Sequence, residues 1–266
     1  MKNIDRDACV KRIIWFCAIA SIVILLLGCS GSRGKKKLPS VRYSGMTGKR
    51  SLVVLFPGIG GKGSHYATQG FLDEVWARGF EASMEVLEVK PSLYLGSRIV
   101  ELVKTQVIEP AKAEGFKEFY FVGVSLGGHG VLLYATTYPE DVDGIVILAP
   151  FISLDFSSEA VEEAGGLEKW QDCPFLAWDY GCNVWKSLQV YVADPRNQRK
   201  VVLGFGREDR FVDQCRVLAD ALLPEQVFTV PGGHDWTTWK ELFVKVADYF
   251  LALKIQRDRK SKSRPK

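Results

Sequence analysis

Residues 51–56 read Ser-Leu-Val-Val-Leu-Phe, an unbroken apolar run that stops at Pro57-Gly58. A strand with one wet face alternates polar and apolar residues. A strand without that alternation is covered on both sides, which is the condition inside a parallel sheet. Further strand-length stretches occupy 81–89, 117–122, 144–148, 200–205 and 226–230. Helix-length stretches separate them at 66–78, 94–113, 126–137 and 211–222, and a last one covers 235–253. In the second of these, Ile99, Leu102, Val103 and Val107 recur at the spacing of one helical face. This alternation predicts an α/β fold with a mostly parallel sheet of about six strands and helices on both faces. Residues 150–199 break the rhythm and are read as a cap inserted over the C-terminal edge of the sheet. Its aromatic residues, Phe151, Phe156, Trp170, Phe175, Trp178, Tyr180 and Trp185, are divided between a small core and an apolar acyl or sugar-ring pocket.

The charges are segregated. Residues 51–253 carry 17 Lys and Arg against 28 Asp and Glu, although the whole chain has a net charge of +4. Nucleic-acid binding places positive charge on the folded surface, so an acidic body argues against it. Residues 29–50 hold 7 basic residues and no acidic one, and residues 254–266 hold 7 and 1. They are read as a basic tether and a basic tail on either side of a 51–253 domain. With 3 His in the whole chain and none at metal-ligand spacing, neither a metal site nor a cofactor is expected.

Residues 1–28 read as an export signal. Lys2, Arg6, Lys11 and Arg12 precede an apolar run over 13–27, which is short for a membrane span and suits a secretory signal. The run ends Leu26-Leu27-Gly28-Cys29, which resembles the lipobox of bacterial lipoproteins. The resemblance implies a lipidated Cys29 and cleavage before it, giving an exported, membrane-anchored protein. Ser30 in place of Asp favours the outer membrane where there is one. Lys35, Lys36 and Lys37 add a second attachment signal or a plain solvated linker. An uncleaved signal anchor is the alternative. Export also allows a disulfide, and Cys173 and Cys182, flanking a short aromatic loop, are the candidate pair; Cys215 is left over.

Gly123-Val124-Ser125-Leu126-Gly127 follows a strand and opens a helix. In that context the glycines permit a sharp turn that exposes the Ser125 hydroxyl, and the positive end of the helix faces a developing oxyanion. A serine nucleophile needs a base. His129 lies one helical turn past Ser125 and belongs to the helix packing, and His65 sits in the loop after the first strand. His234 follows the last strand, on the edge where the serine turn lies, and is the candidate base. Its orienting acid is Asp209, in the loop after 200–205, with Glu208 the runner-up.

With these residues in place the chain resembles the α/β-hydrolase superfamily, whose order of serine, acid and histidine matches Ser125, Asp209 and His234. The resemblance covers 51–253, beginning near the family's third strand and without its first hairpin. It implies an oxyanion hole from the Leu126 amide and one in Phe56-Pro57-Gly58-Ile59-Gly60-Gly61, a loop similar to the family's His-Gly-x-x-Gly, which points to Ile59. Pro57 stands where a His is frequent. Serine rather than Asp at the turn disfavours dehalogenation and epoxide opening. The expected reaction is hydrolysis of a small-molecule or glycosidic carboxylic ester. A thioesterase, amidase or lipase would use the same residues, and a catalytically silent surface binding module is the alternative from another class.

Overall fold

A computed structural model describes residues 37–45, 51–95, 98–153, 157–171 and 180–262. The described strands form one seven-stranded sheet. They are β1 (Ser40–Tyr43), β2 (Ser51–Phe56), β3 (Ser83–Leu87), β4 (Glu118–Val124), β5 (Gly144–Leu148), β6 (Val201–Gly206) and β7 (Val227–Val230). Their order is β1-β3-β2-β4-β5-β6-β7. Every neighbouring pair is parallel except β1 with β3. All residues of β2, β5 and β6 are buried, as continuous apolar runs require of central parallel strands.

Between the strands lie α1 (Ser64–Thr68), α2 (Phe71–Ala77), α3 (Pro91–Leu95), α4 (Arg98–Val103) and α5 (Glu109–Ala113). Then come α6 (Leu126–Thr137), α7 (Ser157–Glu163), α8 (Tyr180–Ala193), α9 (Pro195–Gln198), α10 (Val212–Ala219) and α11 (Trp236–Lys262). α6 packs on β4 with α4 and α8 beside it, and α11 packs on β6 with α2 beside it.

Three features differ from the sequence expectation. β1 is a seventh strand and falls within 29–50, the stretch its charge assigned to a tether. There the Arg42 guanidinium is taken up by Glu85 and Glu114, while Leu38 is buried. The expected helix over 66–78 is two short ones, because Gly70 adopts a left-handed backbone (φ +72°) between α1 and α2. The last helix continues through 254–262, since Lys and Arg are good helix formers and suit a helix C-terminus.

A π-helical turn (Lys104–Ile108) joins α4 to α5. Residues eight apart would point roughly 80° apart round a regular helix, and the extra residue of the π turn brings them near one face. Lys104 and Lys112 thereby both reach the buried Asp141 carboxylate, at 2.7 and 2.6 Å, and Tyr134 donates to it at 2.7 Å. The ammonium groups and the phenol hold that carboxyl below its ordinary range against the opposing effect of burial.

What matters most for function is register. Phe56 pairs with Gly123, Val124 with Leu148, Leu148 with Gly204, and Gly206 with Val230. The C-terminal ends of five parallel strands are therefore level, and the loops that follow them leave the sheet along one edge.

Candidate active site

Ser125 occupies the turn between β4 and α6 with φ +52° and ψ −122°. A side chain bearing Cβ is strained there, and the strain persists only because the surroundings over-determine it. The Ser125 amide donates to Leu148 O at 2.9 Å, and its carbonyl accepts from Phe151 N at 3.1 Å. The neighbouring glycines leave no room for anything larger. A Cβ at Gly123 would lie 2.4 Å from Gly127 O, and one at Gly127 would lie 2.0 Å from Phe56 O. The serine is thus pressed between the ends of β2 and β5, which fixes where its hydroxyl points.

The loops after β6 and β7 are drawn together in a similar way. Gly232 has φ +121°, and a Cβ at Gly206 would lie 2.1 Å from Gly232 O. Arg207 N and Glu208 N donate across to Val230 O and Gly232 O at 2.9 and 3.1 Å. This close approach brings Asp209 to His234. The imidazole Nδ1 lies 2.8 and 3.0 Å from the two carboxylate oxygens of Asp209. Nε2 lies 2.8 Å from Ser125 Oγ. An ionised carboxylate only accepts, which assigns the imidazole proton to Nδ1 and leaves Nε2 to accept from the serine hydroxyl. Phe211 and Trp239, nearly perpendicular to the imidazole with ring centroids at 5.0 and 4.8 Å, hold its plane.

The two acids that the sequence left open are separated by their contacts. Asp209 is 2% exposed, faces His234 and accepts from Phe211 N at 2.8 Å. Glu208 is exposed and instead accepts from Gly232 N, bracing the histidine loop.

The other histidines are placed apart from this chain of hydrogen bonds. His129 is fully buried in α6 against Phe151. Burial lowers its pKa to about 4, and hydrogen bonding to the Ile152 and Phe151 backbone opposes the fall. It is therefore neutral in the folded protein and ordinary in the unfolded chain. Between pH 6.5 and 4 the unfolded chain binds the extra proton, so the neutral histidine's contribution is intact above pH 6.5. It declines as pH falls and is gone below about pH 4. The depression corresponds to about 3 kcal/mol. Thermal melts of wild type and His129→Gln across pH 4–7 are expected to show a shallower acid loss in the variant; parallel curves would refute this.

An open cavity of about 330 Å³ lies over Ser125 and His234. Gly58, Ile59, Gly60 and Gly61 form one wall, and His65, Arg210, Asp235, Trp236 and Trp239 line it as well. Ile59 is half exposed at the tip of a turn closed by Gly61 N donating to Gly58 O at 3.1 Å, with Gly60 at φ +68°. Gly58 stands so close to the Ser125 turn that a Cβ on it would touch Ser125 Cβ at 3.3 Å. Leu126 opens α6, so its amide has no acceptor within the helix. Both backbone segments read as an oxyanion hole are therefore beside Ser125.

The aromatic wall of this cavity was not anticipated. Phe151, Trp170 and Trp185 of the cap are buried in the core, and Phe156, Phe175 and Trp178 lie outside the described residues. Among the described residues, Trp236 and Trp239 line the cavity, three apart on the first turn of α11 and so on one helical face. Their spacing directly after His234 was the available signal. Cys182 is disulfide-bonded and Cys215 is free and buried; Cys173 lies outside the described residues, as does Cys29. Among the described residues, no group of three or more His, Cys, Asp or Glu is arranged to hold a metal ion.

The family described as "Putative esterase" matches residues 92–249, more than half of the chain and all three residues of the hydrogen-bonded chain. No curated protein matches. Among solved structures, FphF of Staphylococcus aureus, a fluorophosphonate-binding serine hydrolase, is similar at 15% identity and a TM-score of 0.55. That match covers 84% of this chain and 87% of FphF. A monoacylglycerol lipase from Paleococcus ferrophilus is 17% identical, with a TM-score of 0.53 and 82% and 99% of the two chains covered. Est1E from Butyrivibrio proteoclasticus is 18% identical, with a TM-score of 0.53 and 82% and 95% covered. At these identities the likeness carries the fold, and the family match carries the activity class. The chain belongs to the esterase family described as "Putative esterase" and is a hydrolase with the α/β-hydrolase fold.

Proposed function

We propose that the protein cleaves a carboxylic ester through an acyl-enzyme on Ser125. The observation that supports this most is the continuous arrangement Ser125 Oγ, His234 Nε2, His234 Nδ1, Asp209 carboxylate, with both links at 2.8 Å. As Ser125 Oγ bonds to the ester carbonyl carbon, its proton passes to Nε2, and Asp209 stabilises the imidazolium that forms. The negative charge gathering on the carbonyl oxygen is met by the Leu126 and Ile59 amides and the positive end of α6. Collapse breaks the bond to the leaving alkoxide, which takes the proton from Nε2. Water then repeats the sequence on the acyl-enzyme and releases the acid and Ser125.

A small ester suits a cavity of about 330 Å³ with an aromatic wall and a glycine-rich rim. Some of the similar structures point the same way, being a monoacylglycerol lipase and a ferulic acid esterase. The test is a fluorophosphonate probe on the purified protein followed by peptide mapping. Stoichiometric labelling of Ser125 is expected. A folded protein that stays unlabelled would sink the serine mechanism and favour a silent binding module.

The place of action is proposed to be the cell envelope, on the lipobox-like Leu26-Leu27-Gly28-Cys29. Among the described residues, no helix is long and apolar enough to cross a membrane. Cys29→Ala is expected to leave a heavier unprocessed precursor without label from a palmitate analogue. Equal labelling of variant and wild type would exclude lipidation at Cys29.

A further inference from the structure

We infer that Tyr94 and Tyr66 are positioning residues of the oxyanion hole, an inference that rests on the serine-esterase reading above. The Ile59 amide can face the reacting carbonyl only if the chain leaving β2 takes one path, and a glycine-rich loop has little intrinsic preference for any. Hydrogen bonds fix three consecutive peptide planes there. Tyr66 Oη donates to Phe56 O at 2.7 Å, Tyr94 Oη donates to Pro57 O at 2.8 Å, and Gly61 N donates to Gly58 O at 3.1 Å. Across a trans peptide the N–H points opposite to the C=O. Tethering Gly58 O into the turn therefore turns the Ile59 N–H out of it, and the two phenols settle the planes on which that turn is built.

The phenols are unlike ordinary core tyrosines in where they act. The carbonyls they hold are those pressed on the first turn of the nucleophile helix. A Cβ at Gly127 would meet Phe56 O at 2.0 Å and Pro57 O at 2.8 Å. Tyr94 is also wedged against that helix, since a Cβ at Gly130 would lie 2.4 Å from its ring. Both side chains are fully buried, and removing a hydroxyl takes one donor from Pro57 O or Phe56 O, so each loss frees one peptide plane of the loop. Burial pushes both phenols well above their ordinary pKa, which keeps the donating proton in place throughout the working range. Tyr94, on α3, and Tyr66, on α1, reach the loop from different elements, so two helices hold it.

Removing the hydroxyls while keeping the rings tests this. Tyr94→Phe, Tyr66→Phe and the double variant are compared with wild type after titrating active sites with the fluorophosphonate probe, so that kcat is counted per competent site. Each single variant is expected to lose on the order of 10–100-fold in kcat per site, with KM for p-nitrophenyl butyrate changed less than about 3-fold. A trifluoromethyl ketone, which forms the oxyanion adduct, is expected to weaken in parallel with kcat. Unchanged kcat per site with a lower thermal midpoint overturns the proposal, because the hydroxyls then serve only the fold. A rise in KM at constant kcat overturns it too, as does failure of both single variants to fold. If wild type itself does not label at Ser125, the esterase reading has failed and this inference falls with it. Normal wild-type labelling with unaffected variants removes the inference alone.

Discussion

Ser125→Ala is expected to lower kcat for p-nitrophenyl esters by on the order of 10³–10⁶-fold, with the thermal midpoint almost unchanged. The substitution removes one oxygen, and the strained turn that holds it is set by Gly123, Gly127 and backbone hydrogen bonds that alanine keeps. His234→Ala is expected to cost nearly as much. Asp209→Asn is expected to cost about 10⁴-fold, because an amide in place of the carboxylate no longer enforces the Nδ1–H tautomer. Nε2 and Nδ1 are single hydrogen bonds away from Ser125 and Asp209. Groups that act as a unit do not add, so the Ser125→Ala, His234→Ala double variant is expected to lose little more than either single one. His65→Ala and His129→Ala are the controls. Either one matching His234→Ala, per folded molecule, would move the base away from His234.

Gly127→Ala is expected to cost about 3 kcal/mol or more of stability and to abolish turnover. The new methyl would sit 2.0 Å from Phe56 O and 2.8 Å from Pro57 O, both backbone atoms at the end of a fully buried strand. Neither can swing aside as a flexible side chain would, so α6 has to lift from the sheet and take Ser125 with it. Gly60→Ala is the useful comparison. Gly60 has φ +68° but nothing within 4 Å of its Cβ position, so alanine there meets only backbone strain of about 1–2 kcal/mol. Denaturant unfolding of the two variants separates steric from conformational cost. Equal losses at 60 and 127 would show that the close approach of α6 to β2 is not what makes Gly127 necessary.

Much of this molecule is local information. Unbroken apolar runs at 51–56, 144–148 and 200–205 fill both faces of a strand, and helix-length segments between them leave a parallel sheet as the consistent solution. That topology by itself sends every strand-to-helix loop to one edge. Ser125, Asp209 and His234 could therefore be named together although 84 and 25 residues separate them in turn. What escaped the sequence depends on distance through space. Whether Asp209 or Glu208 faces the imidazole follows from the Gly206–Gly232 approach, since the two acids are neighbours with the same local signals. β1 was hidden because Arg42 looks like any tether residue until Glu85 and Glu114 are brought beside it. Trp236 and Trp239 line the cavity while Phe151, Trp170 and Trp185 of the cap are buried in the core, because a side chain's exposure is set by what packs over it and not by its own hydrophobicity. The order of elements and the candidate reactive groups were written in periodicity and turn chemistry, which act over a few residues. Which groups touch, and which rings line the cavity, was decided only when the sheet register and the glycine contacts brought separate loops within a few ångströms.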